Sequence, residues 1–556
     1  MIRTVAIRAV LGCALACLLA AGARAGEPRR EDRGDLIVLH LQGSYEEMGR
    51  QQVELMGPEL RAVYELQRAD FARGVARGGP GLALLDRLGV PLLSLVGGRF
   101  EDSGFYAELE GVAAGLGVPR RDVLRALFSL AGGSTVFAAT RSATADGGAL
   151  LGRNVDWPDG RGRRRPVVML VHPTNGDLAY VSCGWPLVGL PTVGLNEAGL
   201  AFSLNYFVTD PQVKYGPARW PHRRALQTAR SVEEAIRVYL DAGSIGISGF
   251  AALADATGDI ALVECTPEEC AVFRPEGDWF GQANHARTEP MIPHDRYRSP
   301  DSFARRAAME AAVGRHLGSL IPELAAAILR DRANSGFANA DTLGNLEVLN
   351  AAVVQPAAGI LWHSTTMQPH APFGEYVPFS VSVDVSGVRP LPADPRFAAG
   401  AMQAEINAVA ELRRGLRLDE EHDAAAAAEV FDSLAASAAG GLDPSRLAWA
   451  RARARWQAGR LEEAYAVLGE VEQAGDAPFE VRAWALWMRA VLADRLGRRE
   501  EALRLYGAAA AHLESRPEFA SYFEQLRNAI AAGAGNPGPQ TDAPLPETPH
   551  LTRAPR

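Results

Sequence analysis

Through the middle of the chain, apolar and polar positions alternate with a period of two. The stretch "GGSTVFAATRSATADGGALLGRNVDW", Gly132 to Trp157, runs small residues into one alternating segment, turns at Asp146-Gly147-Gly148, and alternates again. That pattern predicts a β-hairpin with Ser134 at the start of its first strand, directly after two glycines. "PVVMLVHP", "LAYVSCGW", "TVGLNEAGLAFSLNYF", "FAALADA" and "IALVECTP" are further short β-rich runs broken by Asn-Gly, Gly-Asp or Asn-Glu turns, so strands are expected from Ser134 to about His285. Ahead of them, residues 36–42, "LIVLHLQ", predict a short strand. Ser44 and Glu47 stand in capping-box spacing and open a helix, and helical segments continue to about Leu130. Ser231-Val-Glu-Glu opens another helix by the same device. Residues 301–331 return to helix, and "GILWHSTTMQPH" and "YVPFSVSVDV" read as closing strands.

After "RPLPADPRF" the composition shifts to Ala, Leu, Glu and Arg with helical periodicity from about Ala398. "ARWQAGRLEEAYAVL" and "ADRLGRREEALRLYG" repeat one another, with Gly459 and Gly497 38 residues apart. These segments resemble tetratricopeptide helix pairs, whose period is slightly shorter, so an insertion between repeats is required; a plain helical bundle reusing one turn is the other reading. The expected division is therefore 26–395, a helical repeat-like region over 396–530, and a disordered tail over 531–556, rich in Pro, Gly and Thr.

The first 25 residues stand apart. Arg3 and Arg8 precede an apolar run, Ala9 to Ala21, and Ala23-Arg24-Ala25 supplies the small-x-small site of a secretory signal cut after Ala25. The run is too short to span a bilayer, and no other window approaches ~20 continuous apolar residues. Neither Cys13 nor Cys17 follows a Leu-small-small triplet, which argues against a lipoprotein. The expected location is periplasmic or extracellular. Losing three arginines and no acid with the signal moves the formal net charge from −9 to −12, which disfavours nucleic acid as a partner. Lys214 is the sole lysine, so there is neither a Walker loop nor a Ser-x-x-Lys dyad. Cys265 and Cys270, flanking "TPEE", are either bridged in an oxidising compartment or two free thiols. No paired CxxC motifs occur, and His222, His285, His363 and His370 have no metal-ligand spacing; they read as surface or packing residues, and no metal or cofactor is expected.

"GSYEEMGRQQ", "ELEGVAAGLGV", "GSTVFAATRSATADGGALLGRNVDW", "GLNEAGLAFSLNYF" and "GQANH" occur in this order. Together they resemble the acyl-coenzyme A:6-aminopenicillanate acyltransferase family of N-terminal-nucleophile hydrolases, relatives of the choloylglycine hydrolases. The resemblance covers roughly residues 36–390. It implies an α+β fold, an αββα sandwich of two antiparallel sheets between helix layers, here followed by the all-α, tetratricopeptide-like region. It also implies a precursor that cuts itself between positions 133 and 134, freeing residue 134 as nucleophile. The family pattern at that point is Gly-Cys-Thr, whereas this chain has Gly133-Ser134-Thr135 and no cysteine between 132 and 142. A hydroxyl suffices for an N-to-O acyl shift. Once residue 134 is a chain terminus, its α-amine, with an ordinary pKa near ~8, accepts the side-chain proton.

By the same resemblance, Arg153 and Asp156 in "GRNVDW" fall on an active-site arginine and aspartate, the aspartate orienting the α-ammonium. Alternation sets 153 and 156 on opposite faces, so a bulge or strand end at 154–156 is expected to bring both in. Asn205 in "FSLNYF" and Asn284 in "QANH" match side chains that support the oxyanion, and Arg305 in "SFARR" a further arginine. The implied function is an exported, self-processing hydrolase of linear amides in N-acylated small molecules, or an acyltransferase using the same acyl-enzyme. The competing G-x-S-x-G signature is absent, since "GISGF" lacks a glycine where it is needed. The rival class is a catalytically inactive binding protein whose C-terminal helices hold a protein partner.

Overall fold

Alternation resolves into two stacked sheets. The structure, a computed structural model, describes residues 27–77, 87, 89–91, 95, 103–127, 133–156, 165–184, 187, 191–209, 220–242, 248–296, 298–332, 341–345, 347–437 and 442–535. The expected signal segment 1–25 lies outside them. The strands are β1 (Arg29–Arg33), β2 (Leu36–Gly43), β3 (Gly133–Ala139), β4 (Leu150–Asp156), β5 (Val167–Pro173), β6 (Tyr180–Gly184), β7 (Pro191–Asn196), β8 (Leu200–Asn205), β9 (Gly249–Asp255), β10 (Ile260–Cys265), β11 (Cys270–Phe273), β12 (Trp279–Gln282), β13 (Val348–Gln355), β14 (Ile360–Ser364) and β15 (Tyr376–Phe379). Among the described residues they form a nine-stranded sheet, β1-β2-β5-β6-β7-β8-β9-β10-β11, and a six-stranded sheet, β12-β3-β4-β13-β14-β15.

The layers follow from which face of each strand is apolar. Val136, Ala138 and Leu151 of the smaller sheet meet Val38, Val168, Val181, Val193 and Ala252 of the larger one in the inter-sheet core. The outer face of the larger sheet carries Leu39, Met169 and Tyr180 under helices α1 (Tyr45–Met56), α3 (Phe105–Leu116) and α4 (Arg120–Leu127), with α2 (Pro58–Arg77) beside them. Phe202, Leu253 and Val263 lie under α5 (Pro221–Thr228) and α6 (Val232–Leu240). Phe137, Ala139 and Val353 of the smaller sheet face α7 (Pro300–Gly314) and α8 (Pro322–Leu329). The sequence of layers is thus helix, sheet, sheet, helix.

The expected pair of purely antiparallel sheets needs one correction: β2 pairs with β5 in parallel. The helices α1–α4 and the first hairpin of the other sheet lie between those two strands in the chain, a connection long enough for a parallel crossover. The helical region expected over 301–331 consists of two helices, with residues 315–321 between them. The closing strand ends at Phe379, and a run of bends begins at Val381.

The Ser44–Glu47 capping box forms in full. At α6 the Ser231 side chain caps Glu234, but the Glu234 carboxylate accepts from the N–H of Arg230 instead of closing the box. The glycines of the two helical motifs have one shared cause. A Cβ on Gly49 would lie 2.2 Å from the Glu108 carbonyl oxygen, and one on Gly111 would lie 2.0 Å from that of Glu46. α1 and α3 therefore touch backbone to backbone.

The edges of the larger sheet differ in kind. β1, "RREDR", is charged at every position, with Arg30 bonded to Asp32 at 2.9 Å and to Glu59 at 2.8 Å. At the other edge Cys265 and Cys270 are directly opposed and form a disulfide, which decides between the two readings left open by the sequence. Cys183 is free and buried.

Beyond Asp394 the elements are helical: α9 (Gln403–Glu420), α10 (Ala424–Ala436), α11 (Pro444–Gln457), α12 (Leu461–Gln473), α13 (Phe479–Arg495), α14 (Arg499–Glu514) and α15 (Glu524–Gly535), after a four-residue turn of helix at Pro395–Ala398. Gly459 and Gly497 occupy equivalent turns with φ of 76° and 77°, where glycine carries no steric penalty. The helix α15 includes 531–535, which the sequence assigned to the tail; residues 536–556 lie outside the described residues. Element type changes where composition does, but apolar packing crosses the boundary. Phe303 packs on the core of α11–α15, and Phe373 belongs to the core of α9–α11.

One buried acid in this region gives a pH prediction. Glu480 accepts from the Tyr522 hydroxyl at 2.7 Å. Burial pushes its carboxyl from the ordinary 4.5 up to about 7; Arg446 and Tyr522 pull down, while Asp301 and Asp341 push up. An acid whose folded pKa lies above its unfolded one keeps its proton in the native state, so its contribution to stability is lost as pH rises from 4.5 through 7, to an extent of at most about 3 kcal/mol. Glu480→Gln should match the parent at pH 5 and melt higher than the parent at pH 8. Equal melting differences at the two pH values would show that Glu480 does not titrate in this window.

Candidate active site

Ser134 sits second in β3, opposite Val155 of β4, with 4% of its surface exposed. Strand alternation turns Ser134, Val136 and Ala138 toward the facing sheet, and Thr135, Phe137 and Ala139 toward α7 and α8. Arg153, opposite Val136, shares the inter-sheet face. Its Nη2 donates to Ser134 Oγ at 3.1 Å, and its Nη1 donates to Ser203 Oγ at 3.0 Å and to the carbonyl of Thr192. Thr192 is on β7 and Ser203 on β8, so this guanidinium bridges the two sheets at the serine. Burial lowers its pKa to about 9, opposed by Asp156 and Cys183; at neutral pH it remains a cation beside the hydroxyl.

The backbone of Ser134 is held as closely as its side chain. Its N–H donates to Asn284 Oδ1 at 2.7 Å, and its carbonyl accepts from Arg305 Nη1 at 2.8 Å. Arg305 Nη2 also donates to Asn284 Oδ1 at 3.0 Å and to Asp301 Oδ2 at 3.1 Å, and Nη1 lies 3.6 Å from Asp156 Oδ2. Asn284 is fixed in turn, its Nδ2 donating to the Tyr206 carbonyl at 2.6 Å and its N–H to Ser302 Oγ at 2.7 Å. Asn205, at the end of β8, accepts from Ser203 Oγ at 3.3 Å, and its Nδ2 makes a long 3.4 Å bond to the Ala283 carbonyl.

The other five residues singled out in the sequence therefore gather around Ser134, with differences from expectation. The bulge needed to bring Arg153 and Asp156 together is not in β4, whose pairing with β3 is regular from Gly133↔Asp156 onward; the register shift is in β13, between Val348 and Asn350. Arg153 and Asp156 stay on opposite faces. In the uncut chain Asp156 meets Arg305 and Asn345 Nδ2 on the helix side, the latter at 3.4 Å. The Ser134 nitrogen is received by the Asn284 side-chain oxygen. Asn284 thus acts as an acceptor at Ser134, its one donor group being committed to Tyr206, whereas Asn205 Nδ2 is only weakly engaged.

Sequence reasoning missed Ser203, Thr192, Asp301 and Ser302. Ser203 is two residues before Asn205 and so on its face of β8, and Asp301 is four residues before Arg305 on α7; both were findable from spacing. Thr192 contributes a carbonyl, which no side-chain pattern signals. Three of the histidines set aside are packing residues and none of these lies at the surface: His222, His285 and His363 are buried. Burial lowers His222 to about 3 and His363 to about 4, and pushes His285 well down, aided by Arg306, Arg298, Arg305 and Arg287. No group of His, Cys, Asp and Glu suited to a metal ion occurs among the described residues, and no helix there is long and apolar enough to cross a membrane.

Residues 143–363 match the model of the family described as acyl-coenzyme A:6-aminopenicillanic acid acyl-transferase. The match spans Arg153, Asp156, Asn205, Asn284 and Arg305, and begins shortly after Ser134. No curated protein matches the chain. Among solved structures, the N-acylethanolamine-hydrolyzing acid amidase (NAAA) ortholog of Caenorhabditis elegans is 13% identical with a TM-score of 0.31, over 40% of this chain and 93% of that one. A mutant conjugated bile acid hydrolase from Clostridium perfringens is 15% identical with a TM-score of 0.31, over 46% of this chain and 95% of that one. The family match covers less than half of the chain.

Proposed function

We propose that the protein is an exported, self-cleaving hydrolase of linear amides in N-acylated small molecules, or an acyltransferase running through the same acyl-enzyme, with Ser134 as nucleophile. The observation that carries this reading is that hydroxyl, N–H and carbonyl of one buried residue, directly after Gly133, are each held by a separate side chain: Arg153, Asn284 and Arg305. A small structural residue at a strand start has no use for three such partners.

In the proposed first step, Ser134 Oγ attacks the carbonyl of Gly133, and the peptide nitrogen leaves as the α-amine of Ser134. Water then hydrolyses the resulting ester, freeing the new N-terminus. The Asn284 oxygen aimed at that nitrogen fits the amine that results. The guanidiniums of Arg153 and Arg305 nearby favour its neutral form, which is the form that acts as base. In turnover the amine takes the hydroxyl proton as Oγ attacks the substrate amide and returns it to the departing amine. Water, or an acceptor amine in a transferase, then releases the acyl group. Asn205 Nδ2 is the donor most free to turn toward the oxyanion. The region over 396–530 is assigned as tetratricopeptide-like on its two matching glycine turns.

Denaturing electrophoresis with N-terminal sequencing of the secreted protein tests the reading. Two fragments are expected, starting at Gly26 and at Ser134. Intact-mass measurement after incubation with N-acyl amino acids, bile-salt conjugates and penicillins should show an acyl adduct on the Ser134 fragment. A single band that takes up no acyl group from any of these would favour a binding protein.

A further inference from the structure

The first turns of α7 are held from two sides. Facing the site, Arg305 binds the Ser134 carbonyl and Asn284, while Ser302 Oγ accepts from the Asn284 N–H and lies 2.8 Å from His285 Nδ1. Facing away from it, the same turns meet the C-terminal helices. The Phe303 ring stacks on His285, centroids 3.9 Å apart, and meets the edge of Phe519 at 5.3 Å. Phe519 packs in turn on Phe479 of α13 at 5.6 Å. Asp301, which accepts from Arg305, lies in the field of Arg446, a buried guanidinium on α11 surrounded by Asp341, Glu480, Asp443 and Asp301.

We propose that the C-terminal helices are part of the working active site. Arg446, through Asp301, and Phe519, through Phe303, are positioning residues that set α7 so that Arg305 and Asn284 meet Ser134. The proposal rests on Ser134 as the nucleophile, and it concerns a region outside the residues matched by the acyltransferase family. The electrostatics give it a direction. Asp301 shares its buried surroundings with Glu480 and Asp341, and the cation of Arg446 offsets that crowding. With Arg446 neutral, Arg305 is drawn more strongly toward Asp301 and Asp156, away from the Ser134 carbonyl. A displacement of about 1 Å at a reacting group is enough for a rate loss on the order of a hundredfold. The aromatic line acts mechanically on the same turn: Phe303 is clamped between His285, next to Asn284, and Phe519.

The test uses the full-length chain with Arg446→Met, Arg446→Lys and Phe519→Ala, and two readouts. One is the rate at which the fragments meeting at Ser134 appear. The other is amide hydrogen exchange of the segment containing Asn284, which needs no activity, with exchange of β5–β8 as the control for folding. Arg446→Met should slow cleavage at least tenfold and speed exchange at Asn284, leaving β5–β8 protected, and Arg446→Lys should recover most of both. Phe519→Ala should act in the same direction and decides the matter if Arg446→Met does not fold. Wild-type cleavage in folded Arg446→Met and Phe519→Ala, whether or not exchange changes, would overturn the proposal. If exchange speeds up as expected but no chain, the wild type included, is ever cut, the positioning contact stands and the assignment of Ser134 as nucleophile is what fails.

Discussion

Ser134→Ala is expected to leave one uncut chain with no amide hydrolysis. In the proposed scheme the hydroxyl is the attacking atom in both self-cleavage and turnover, and the amine that serves as base exists only after the cut. Ser134→Cys should still be cut, because a thiol makes the same acyl shift. Its rate then reports how far the Arg153 guanidinium, 3.1 Å from the hydroxyl, suits the larger sulfur. The control is Thr135→Ala. The Thr135 side chain points to the α7–α8 layer, and its buried hydroxyl has no partner among the described residues, so its removal should leave cleavage normal. Electrophoresis of the three variants side by side reads the result. Cleavage or activity in Ser134→Ala would reduce Ser134 to a small strand residue.

Asn205→Ala and Asn284→Ala are expected to separate by stability. Asn205→Ala should lose turnover by about a hundredfold or more through the oxyanion, and Asn284→Ala by a comparable factor because the acceptor that places the Ser134 nitrogen is gone. Asn205 has a weak 3.4 Å donor bond and a single acceptor bond from Ser203, so its removal should hold the melting temperature within a few degrees. Asn284 receives the Ser134 N–H and Arg305 and donates to Tyr206. Truncating it leaves three part-buried groups without this partner, each at up to about 1–3 kcal/mol, and Asn284→Ala should melt several degrees earlier. Calorimetry beside initial rates distinguishes the two. An Asn205→Ala variant that melts early and keeps its specific activity would make that asparagine structural.

The contrast between these asparagines marks where sequence reasoning runs out. The six side chains were picked out by the motifs that carry the family resemblance, and strand alternation and helix spacing account only for which of them share a face. Atom-level roles were not legible. Whether Asn284 presents its oxygen or its amide group to Ser134 depends on Tyr206 and Arg305, which come from a loop and from a helix in another layer. The bulge expected at 154–156 to bring Arg153 and Asp156 onto one face does not form, and the register shift that does occur lies in β13, which was not recognised as a strand at all. "VLNAAVVQ" is buried at nearly every position, so it lacks the polar–apolar alternation that betrays a strand with one face in water. The parallel β2–β5 pair was hidden for another reason: register between strands so far apart in the chain is decided by the packing of the helices between them. The glycines in "GSYEEMGRQQ" and "ELEGVAAGLGV" read as motif letters in the sequence. In the fold they are the points where two helices meet without side chains between them.

The charged first strand has a bearing on solubility. The outer backbone edge of β2, a strand of Leu, Ile and Val, would be open to strand addition by another molecule if β1 were absent. β1 covers it with five residues that are all arginine, aspartate or glutamate, and the disulfide-tied β11 stands at the opposite end. Individually such surface ion pairs contribute little to folding stability. Their effect is on what does not happen: they deny neighbouring copies a flat, apolar edge on which a shared sheet would grow. A chain trimmed back to Leu36 would keep the inter-sheet core and lose that protection, so the first strand acts as a guard against fibrous self-association at high concentration.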